Sequence, residues 1–264
     1  MEDSAMATVA DILTFIETIA PPHMAEGWDN CGLLCGRKSR EVKKILVALD
    51  PFANVIDEAI ALGADLIVTH HPLIFRDKLA AVNEDTETGR CVLKLIENGV
   101  AAINAHTNLD MAPGGVNDTL AKTLGLSGIE IVDPVENYGL LRKGTVAEQS
   151  LEEFLALVKE RLGCKGLRYM AGGKPVTTVA VGGGSCADFM QAALAAGCDT
   201  FVTADIKYNQ FRTARELGLN LIDAGHFHTE NPVMPLVAQQ LRDKFPGVQV
   251  IFSENHTDEM NFFV

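Results

Sequence analysis

The chain has 264 residues, 47% of them apolar and 22% charged, enough for one large or two modest domains with proper cores. A formal charge of −13 argues against a nucleic-acid partner, which needs Lys/Arg patches, and an anionic substrate would require positive charge concentrated at one spot. No apolar run approaches membrane-spanning length, and the acidic start Met1-Glu2-Asp3 lacks the basic flank of a signal peptide, so a cytoplasmic protein with no membrane partner is expected.

Residues 7–19 carry Val9, Ile12, Leu13, Phe15, Ile16 and Ile19 at helical spacing, stopped by Pro21-Pro22. The loop Gly27-Trp28-Asp29-Asn30-Cys31-Gly32-Leu33-Leu34 reads equally as a substrate-edge lid or a packed turn. Segment 42–69 reads as a buried strand, a turn, a helix, then Gly63-Ala64-Asp65 and a second strand ending in Val68-Thr69. A helix over 87–97 leads through Gly99-Val100 into another apolar strand that closes at Ala105-His106. Residues 129–132, the stretch near Thr145-Val146 and residues 248–251 are expected as short strands. Residues 151–162 form an amphipathic helix that starts from Ser150, with Glu153 placed for a capping box. A helix over 209–217 and an apolar strand precede Gly225-His226, and Asn231-Pro232 opens a last helix running to about 244.

The chain repeats itself. Segment 176–203 lies over 42–69 without a gap, with nine identical positions that include Val47/Val181, Ala61/Ala195, Gly63/Gly197, Asp65/Asp199 and Thr69/Thr203. Each copy is a β-α-β unit with parallel strands, and each is followed by a helix, a strand and a histidine with an acid four positions later. The expected fold is α/β, two similar intertwined lobes from this duplication with a metal site at their junction. The approximate division places residues 1–126 and 220–264, with most metal ligands, in the first lobe and 127–219 in the second.

Five of the seven histidines fall in three clusters, each closing an apolar run: His70-His71, His106 with Asp110, and His226 and His228 with Glu230. Imidazole and carboxylate together are the donor set of a divalent metal, and these clusters hold more donors than one ion needs. Ligands of parallel sheets sit outside the carboxyl ends of strands, where all three clusters lie. The second copy has Ala204 and Asp205 where the first has His70 and His71, so one asymmetric site is expected rather than one per copy. His70 and His71 can reach one site only if the strand ends there and the backbone turns, which Pro72 favours. Glu230 is suited to bridge two cations and Asp110 to serve the other ion. His106 reads as a ligand, an outer partner or a proton shuttle. His228 reads as orienting a ligand or substrate, and His256 as a solvated residue of a polar turn. The expected cofactors are two divalent ions, zinc first, with iron or manganese as alternatives.

Six cysteines without a C-x-x-C pair read as reduced, mostly buried small residues. Gly182-Gly183-Gly184, after a strand and before a helix, is a weak candidate for binding phosphate through its amides. Nucleophile-elbow, Walker and Rossmann motifs do not occur.

The segments WDNCGLL (28–34), THHP (69–72), AHTNLD (105–110), TADIKY (203–208) and GHFHTE (225–230) resemble the GTP cyclohydrolase I type 2 homologues, also called Nif-three-like proteins. The resemblance covers nearly the whole chain. It implies intertwined α/β lobes, a ring-shaped homohexamer, and a dinuclear centre with His70, His71, Asp110, His226 and Glu230 at the ligand positions. It also implies hydrolysis at C8 of the guanine ring of GTP with release of formate, a small-molecule nucleotide substrate, and His106 and His228 as candidate catalytic proton shuttles. Relatives often place a histidine after the TADIKY segment, where this chain has Asn209. A two-metal phosphoesterase and a non-catalytic metal-binding or scaffold protein are the alternatives.

Overall fold

Strands β3 (Leu66–Thr69), β4 (Ala101–Asn104), β9 (Thr200–Thr203) and β10 (Asn220–Asp223) are buried at every position, the pattern of strands covered on both faces, and each lies in a parallel ladder. The computed structural model describes residues 6–75, 79, 81–132 and 139–263. The acidic Met1-Glu2-Asp3 lies outside them. Among the described residues, no helix is long and apolar enough to cross a membrane.

The chain divides into two compact units, one comprising residues up to Ala112 with Met234–Thr257, the other Pro113–Val233 with the segment from Asp258 on. In the first unit, β1 (Gly32–Cys35), β2 (Lys44–Ala48), β3, β4 and β11 (Gln249–Phe252) form a sheet in the order β1-β4-β3-β2-β11, parallel except for β1. Helices α1 (Val9–Ile19), α2 (Ala53–Ala61) and α3 (Glu87–Glu97) belong to it, as does the short α4 (Thr107–Met111). Val55, Ile56 and Ala59 of α2 and Val92 and Leu95 of α3 pack with Leu46 and Ile67 of the sheet in one buried core.

In the second unit, β5 (Ser127–Val132), β6 (Leu141–Gln149), β7 (Arg168–Met170), β8 (Val176–Val181), β9 and β10 form a sheet in the order β5-β6-β8-β9-β10-β7. Its helices are α5 (Val116–Thr123), α6 (Leu151–Leu162), α7 (Met190–Ala195), α8 (Tyr208–Leu217) and α9 (His226–Glu230). The parallel strands sort their side chains by alternation. Val179, Val181, Val202 and Ile222 join Phe154 and Val158 of α6 in one core, and Ala180, Phe201 and Leu221 join Ala193 and Ala214 in another. The α6 capping box forms as the sequence predicts, Ser150 and Glu153 each satisfying the other's backbone N–H. The final helix, α10 (Val233–Lys244), begins directly after Asn231-Pro232.

The order β1-β2-α2-β3-α3-β4-α4 recurs element for element as β7-β8-α7-β9-α8-β10-α9. In both, the last parallel strand carries the first strand antiparallel on its edge. Several residues identical between the two copies do the same local work. Asp65 accepts the amides of Lys43 and Lys44 at the start of β2, and Asp199 accepts those of Thr177 and Thr178 at the start of β8. Gly63 and Gly197 adopt left-handed backbone (φ +63° and +82°) just after α2 and α7, the helix exit that glycine makes without a Cβ penalty.

The unit boundaries differ from the sequence expectation. β10 is hydrogen-bonded between β9 and β7, so residues 220–233 stay with the second sheet, and α5 packs there too through Leu120 and Ala121. The donor candidates therefore divide between the units, with His226 and Glu230 in the second.

Candidate metal centre

β3 ends at Thr69 and the chain turns at once. The amides of His70 and His71 both donate to the carbonyl of Leu49, at 3.1 and 2.9 Å, and Thr69 Oγ1 donates to the carbonyl of His71. Sharing one carbonyl breaks the strand's alternation, so two adjacent rings lie side by side with centroids 4.9 Å apart. His106, just before α4, adds a third imidazole: each of the three offers a ring nitrogen within 4.8 Å of the others. One helical turn later Asp110, buried, places Oδ1 3.6 Å from His70 Nε2. That is beyond hydrogen-bond range. It is close to the roughly 3.3 Å that separates two donors sharing one tetrahedral ion at bond lengths of about 2.0–2.1 Å.

Each ring is aimed by its other nitrogen. His70 Nδ1 donates to the carbonyl of Ala105 at 2.8 Å, His71 Nδ1 to Asp50 Oδ1 at 2.5 Å, and His106 Nδ1 to Asp29 Oδ1 at 2.9 Å. An oxygen acceptor at Nδ1 puts the proton there and turns the Nε2 lone pair away from it, which is how metal-binding histidines are held. The supporting carboxylates are themselves fixed. Asp29 also accepts Thr107 N and Thr107 Oγ1, and Asp50 accepts His256 Nε2 at 2.8 Å. Burial is the largest single influence on both acids and acts to raise their pKa. The hydrogen bonds from His106 and Thr107 to Asp29, and from His256 and His71 to Asp50, overcome it and hold both well below the usual carboxylate range.

The second unit holds the same device in another form. His226 opens α9 and Glu230 follows at i+4, on one face, with Nε2 and Oε2 3.0 Å apart. His226 Nδ1 donates to Asp205 Oδ2 at 2.6 Å. Burial works to lower the His226 pKa and is the largest single effect, but Glu230 and Asp205 together outweigh it and push the value up to about 11.

Gly184 makes room for this pair. A Cβ there would lie 2.1 Å from Glu230 Oε1 and 3.0 Å from His226 Nε2, and its φ is +61°. The triple glycine does not offer its amides to a phosphate, because Gly182 N donates to Val202 O, Gly183 N to Asn117 Oδ1 and Gly184 N to Thr229 Oγ1. The segment clears space for α9 instead.

Of the expected site residues, the structure brings His70, His71, His106 and Asp110 together in the first unit and His226 with Glu230 in the second. His228 faces elsewhere: Nδ1 bonds Leu162 O and Nε2 bonds Asp258 Oδ2, so both nitrogens serve the packing of the unit. His256 is not solvated but buried against Asp50. Trp28 sets its ring edge-on to Phe75 and His106, at 5.9 and 6.1 Å between centroids, so its loop borders the histidines. Asn209 is exposed on α8. Asp29, Asp50 and Asp205 are the supporting acids that sequence spacing does not single out. Asp205 alone carried a signal, as the residue aligned with His71.

The donor chemistry fits divalent ions: imidazole nitrogens with their second nitrogens anchored, and buried carboxylates beside them. The family model described as Duf34/NIF3 (NGG1p interacting factor 3) matches residues 7–259. The GTP cyclohydrolase 1 type 2 homolog of Clostridium perfringens is 39% identical over 260 residues, covering 96% of this chain and 98% of the relative. A Helicobacter pylori protein named GTP cyclohydrolase 1 type 2 is 33% identical over 244 residues, covering 89% of this chain and 92% of its own. The crystal structure of a Bacillus cereus protein related to NIF3 superposes with a TM-score of 0.91 at 28% identity, covering 98% of this chain and 99% of that one.

Proposed function

The chain belongs to the Duf34/NIF3 family, and from that premise we propose that it is a metal-dependent hydrolase whose His70, His71, Asp110, His226 and Glu230 hold two divalent ions, zinc by preference. The observation that carries this reading is the anchoring of Nδ1 in His70, His71 and His226 by an oxygen acceptor, the arrangement that sets ring orientation and tautomer in metal-binding histidines. Two such ions would supply Lewis acidity, lowering the pKa of water from 15.7 to about 7, and a local positive field for an anionic substrate.

The chain's own residues do the rest. Glu230, with two carboxylate oxygens, would be the ligand the two ions share in this proposal. His106 is the proton carrier of this proposal: Asp29 stays charged and holds Nδ1–H, so the ring can take or give a proton at Nε2 while its charge is balanced. His228 has both nitrogens committed and is left out of that role. The reaction we infer is opening of the guanine imidazole ring of GTP with release of formate, in a cytoplasmic homohexamer. The name of the Helicobacter pylori relative, GTP cyclohydrolase 1 type 2, supports the substrate.

The test is incubation of zinc-loaded protein with GTP and, separately, with a phosphate ester, assaying formate and free phosphate. Formate release supports ring opening. Phosphate from the ester without formate from GTP would make the protein a two-metal phosphoesterase, and neither product would leave a metal-binding protein without this activity.

A further inference from the structure

We infer that His256 and Asp50 are positioning residues of the metal centre, linked to the ligand candidate His71 by a continuous hydrogen-bonded chain; this rests on the metal-binding reading above. Asp50 follows β2 and divides its carboxylate between two imidazoles, Oδ1 to His71 Nδ1 at 2.5 Å and Oδ2 to His256 Nε2 at 2.8 Å. The carbonyl of Leu49, one residue earlier, holds the backbone amide of His71. The dipeptide at 49–50 thus fixes His71 by both main chain and ring.

His256 lies in the loop after β11, far along the chain, and that loop is built to deliver it. Its amide donates to Ser253 Oγ at 3.2 Å, and Ser253 Oγ donates to Glu58 on α2. Glu58 also accepts the amides of Glu254 and Asn255, and Asn54 Nδ2 donates to the carbonyl of Asn255 at 2.9 Å. Phe52 lies tilted against the His256 ring, 6.1 Å between centroids. A loop tied to α2 at this many points holds one ring orientation, and that ring pins the second oxygen of Asp50. Asp50 cannot then swing away from His71.

The second repeat is built differently at the aligned positions. Gly184 aligns with Asp50 and carries no side chain, and the carboxylate appears instead at Asp205, the counterpart of His71. The relay through His256 is therefore a specialisation of the first copy, and it acts on one histidine of the centre only.

The experiment measures zinc affinity by competition with a chromophoric chelator, and the His71 tautomer in metal-free protein by long-range proton–nitrogen NMR. His256→Ala and Asp50→Asn should each weaken zinc binding about 10- to 100-fold. Asp50→Asn should also move the His71 proton from Nδ1, because an amide NH₂ can face that nitrogen as donor. His256→Gln, which keeps a donor toward Asp50, should return affinity to within about threefold of the native chain, a rescue that a purely structural role does not predict. Asn54→Ala removes one tie of the loop, leaves the Glu58 contacts and the hydrogen-bonded chain in place, and should cost zinc affinity less than His256→Ala does. Native-like affinity in His256→Ala, or an equal loss in Asn54→Ala, overturns the inference. A native chain that takes up no zinc overturns the metal reading instead, and the tautomer measurement still decides whether Asp50 orients His71.

Discussion

Asp205 accepts the Nδ1 proton of His226 at 2.6 Å from a left-handed backbone, φ +52°, the only positive φ outside glycine among the described residues. Non-glycine residues rarely adopt that conformation, although Asn and Asp tolerate it best. The strain is the cost of setting a carboxylate against the Nδ1 side of His226. Asp205→Asn keeps the backbone tolerance but presents an amide that can donate to Nδ1 and reverse the tautomer. Zinc affinity should fall about 10- to 100-fold with little change in the urea midpoint. Chelator competition and urea titration on one preparation test both halves, and native affinity in Asp205→Asn removes Asp205 from the centre.

The raised His226 pKa sets a pH dependence with opposite signs in the two forms. Without metal, protonated His226 pairs with Glu230 and Asp205. The native state then holds a proton more tightly than the unfolded chain does, so this contribution is complete below about pH 6.5 and is lost as pH rises toward 11. Metal must displace that proton, so zinc affinity should instead rise with pH, about tenfold per unit for each proton released. Urea midpoints of metal-free protein between pH 6 and 9.5, compared with His226→Gln, check the first slope. Zinc titrations in buffers of differing ionisation enthalpy check the second. A midpoint difference between native and variant that grows with pH contradicts the assignment.

Gly184→Ala tests the space around Glu230. The added methyl would sit 2.1 Å from Glu230 Oε1, in a backbone conformation that costs an L-residue about 1–2 kcal/mol. Glu230 must move, so bound zinc should drop sharply while the protein loses at least that stability. Full zinc occupancy in a folded Gly184→Ala protein would contradict both the clearance and the role of Glu230.

Much of this was readable in the chain, for a physical reason. Runs such as Leu66–Thr69 are apolar because they are covered on both faces, and a β-α-β unit that recurs shows itself as matching apolar and glycine positions. His70, His71 and Asp110 stood out because imidazoles and acids at strand ends are chemically conspicuous. Asp29 and Asp50 did not, because an acid behind a histidine looks like any surface acid until the fold brings the two into contact across 77 and 21 positions. His256 was misread for the same reason, since a polar turn in sequence becomes a buried one only when Asp50 meets it. The unit boundary was missed because pairing of β10 with β7 is a long-range choice that no local pattern records.

The cysteines are expected to be unreactive. All six are free, and burial is the main cause that pushes the thiols of Cys31 and Cys164 up to about 12 and that of Cys198 to about 11. The thiolate is the nucleophile, so these three should resist iodoacetamide at pH 8 in the native protein and react fully in urea. Mass spectrometry of labelled peptides reads the outcome, and modification of Cys164 or Cys198 at the unfolded rate would contradict it.

Asp65 and Asp199 give a paired test of the repeat. Each carboxylate accepts two successive amides at the start of the neighbouring parallel strand, Asp65 at 2.8 and 3.1 Å and Asp199 at 3.0 and 2.8 Å. Each residue's own amide returns to that strand, Asp65 N to the carbonyl of Lys44 and Asp199 N to that of Thr178. Replacement by alanine leaves strand amides without their acceptor, and hydrogen bonds to a charged group are worth about 1.5–3 kcal/mol. Asp65→Ala and Asp199→Ala should therefore each lose stability of that order in urea unfolding. Zinc affinity should hold in both, because neither residue touches the histidines. If one variant is destabilised and the other is not, the shared geometry does not carry equal weight in the two copies, and the reading of these aspartates as equivalent strand anchors fails.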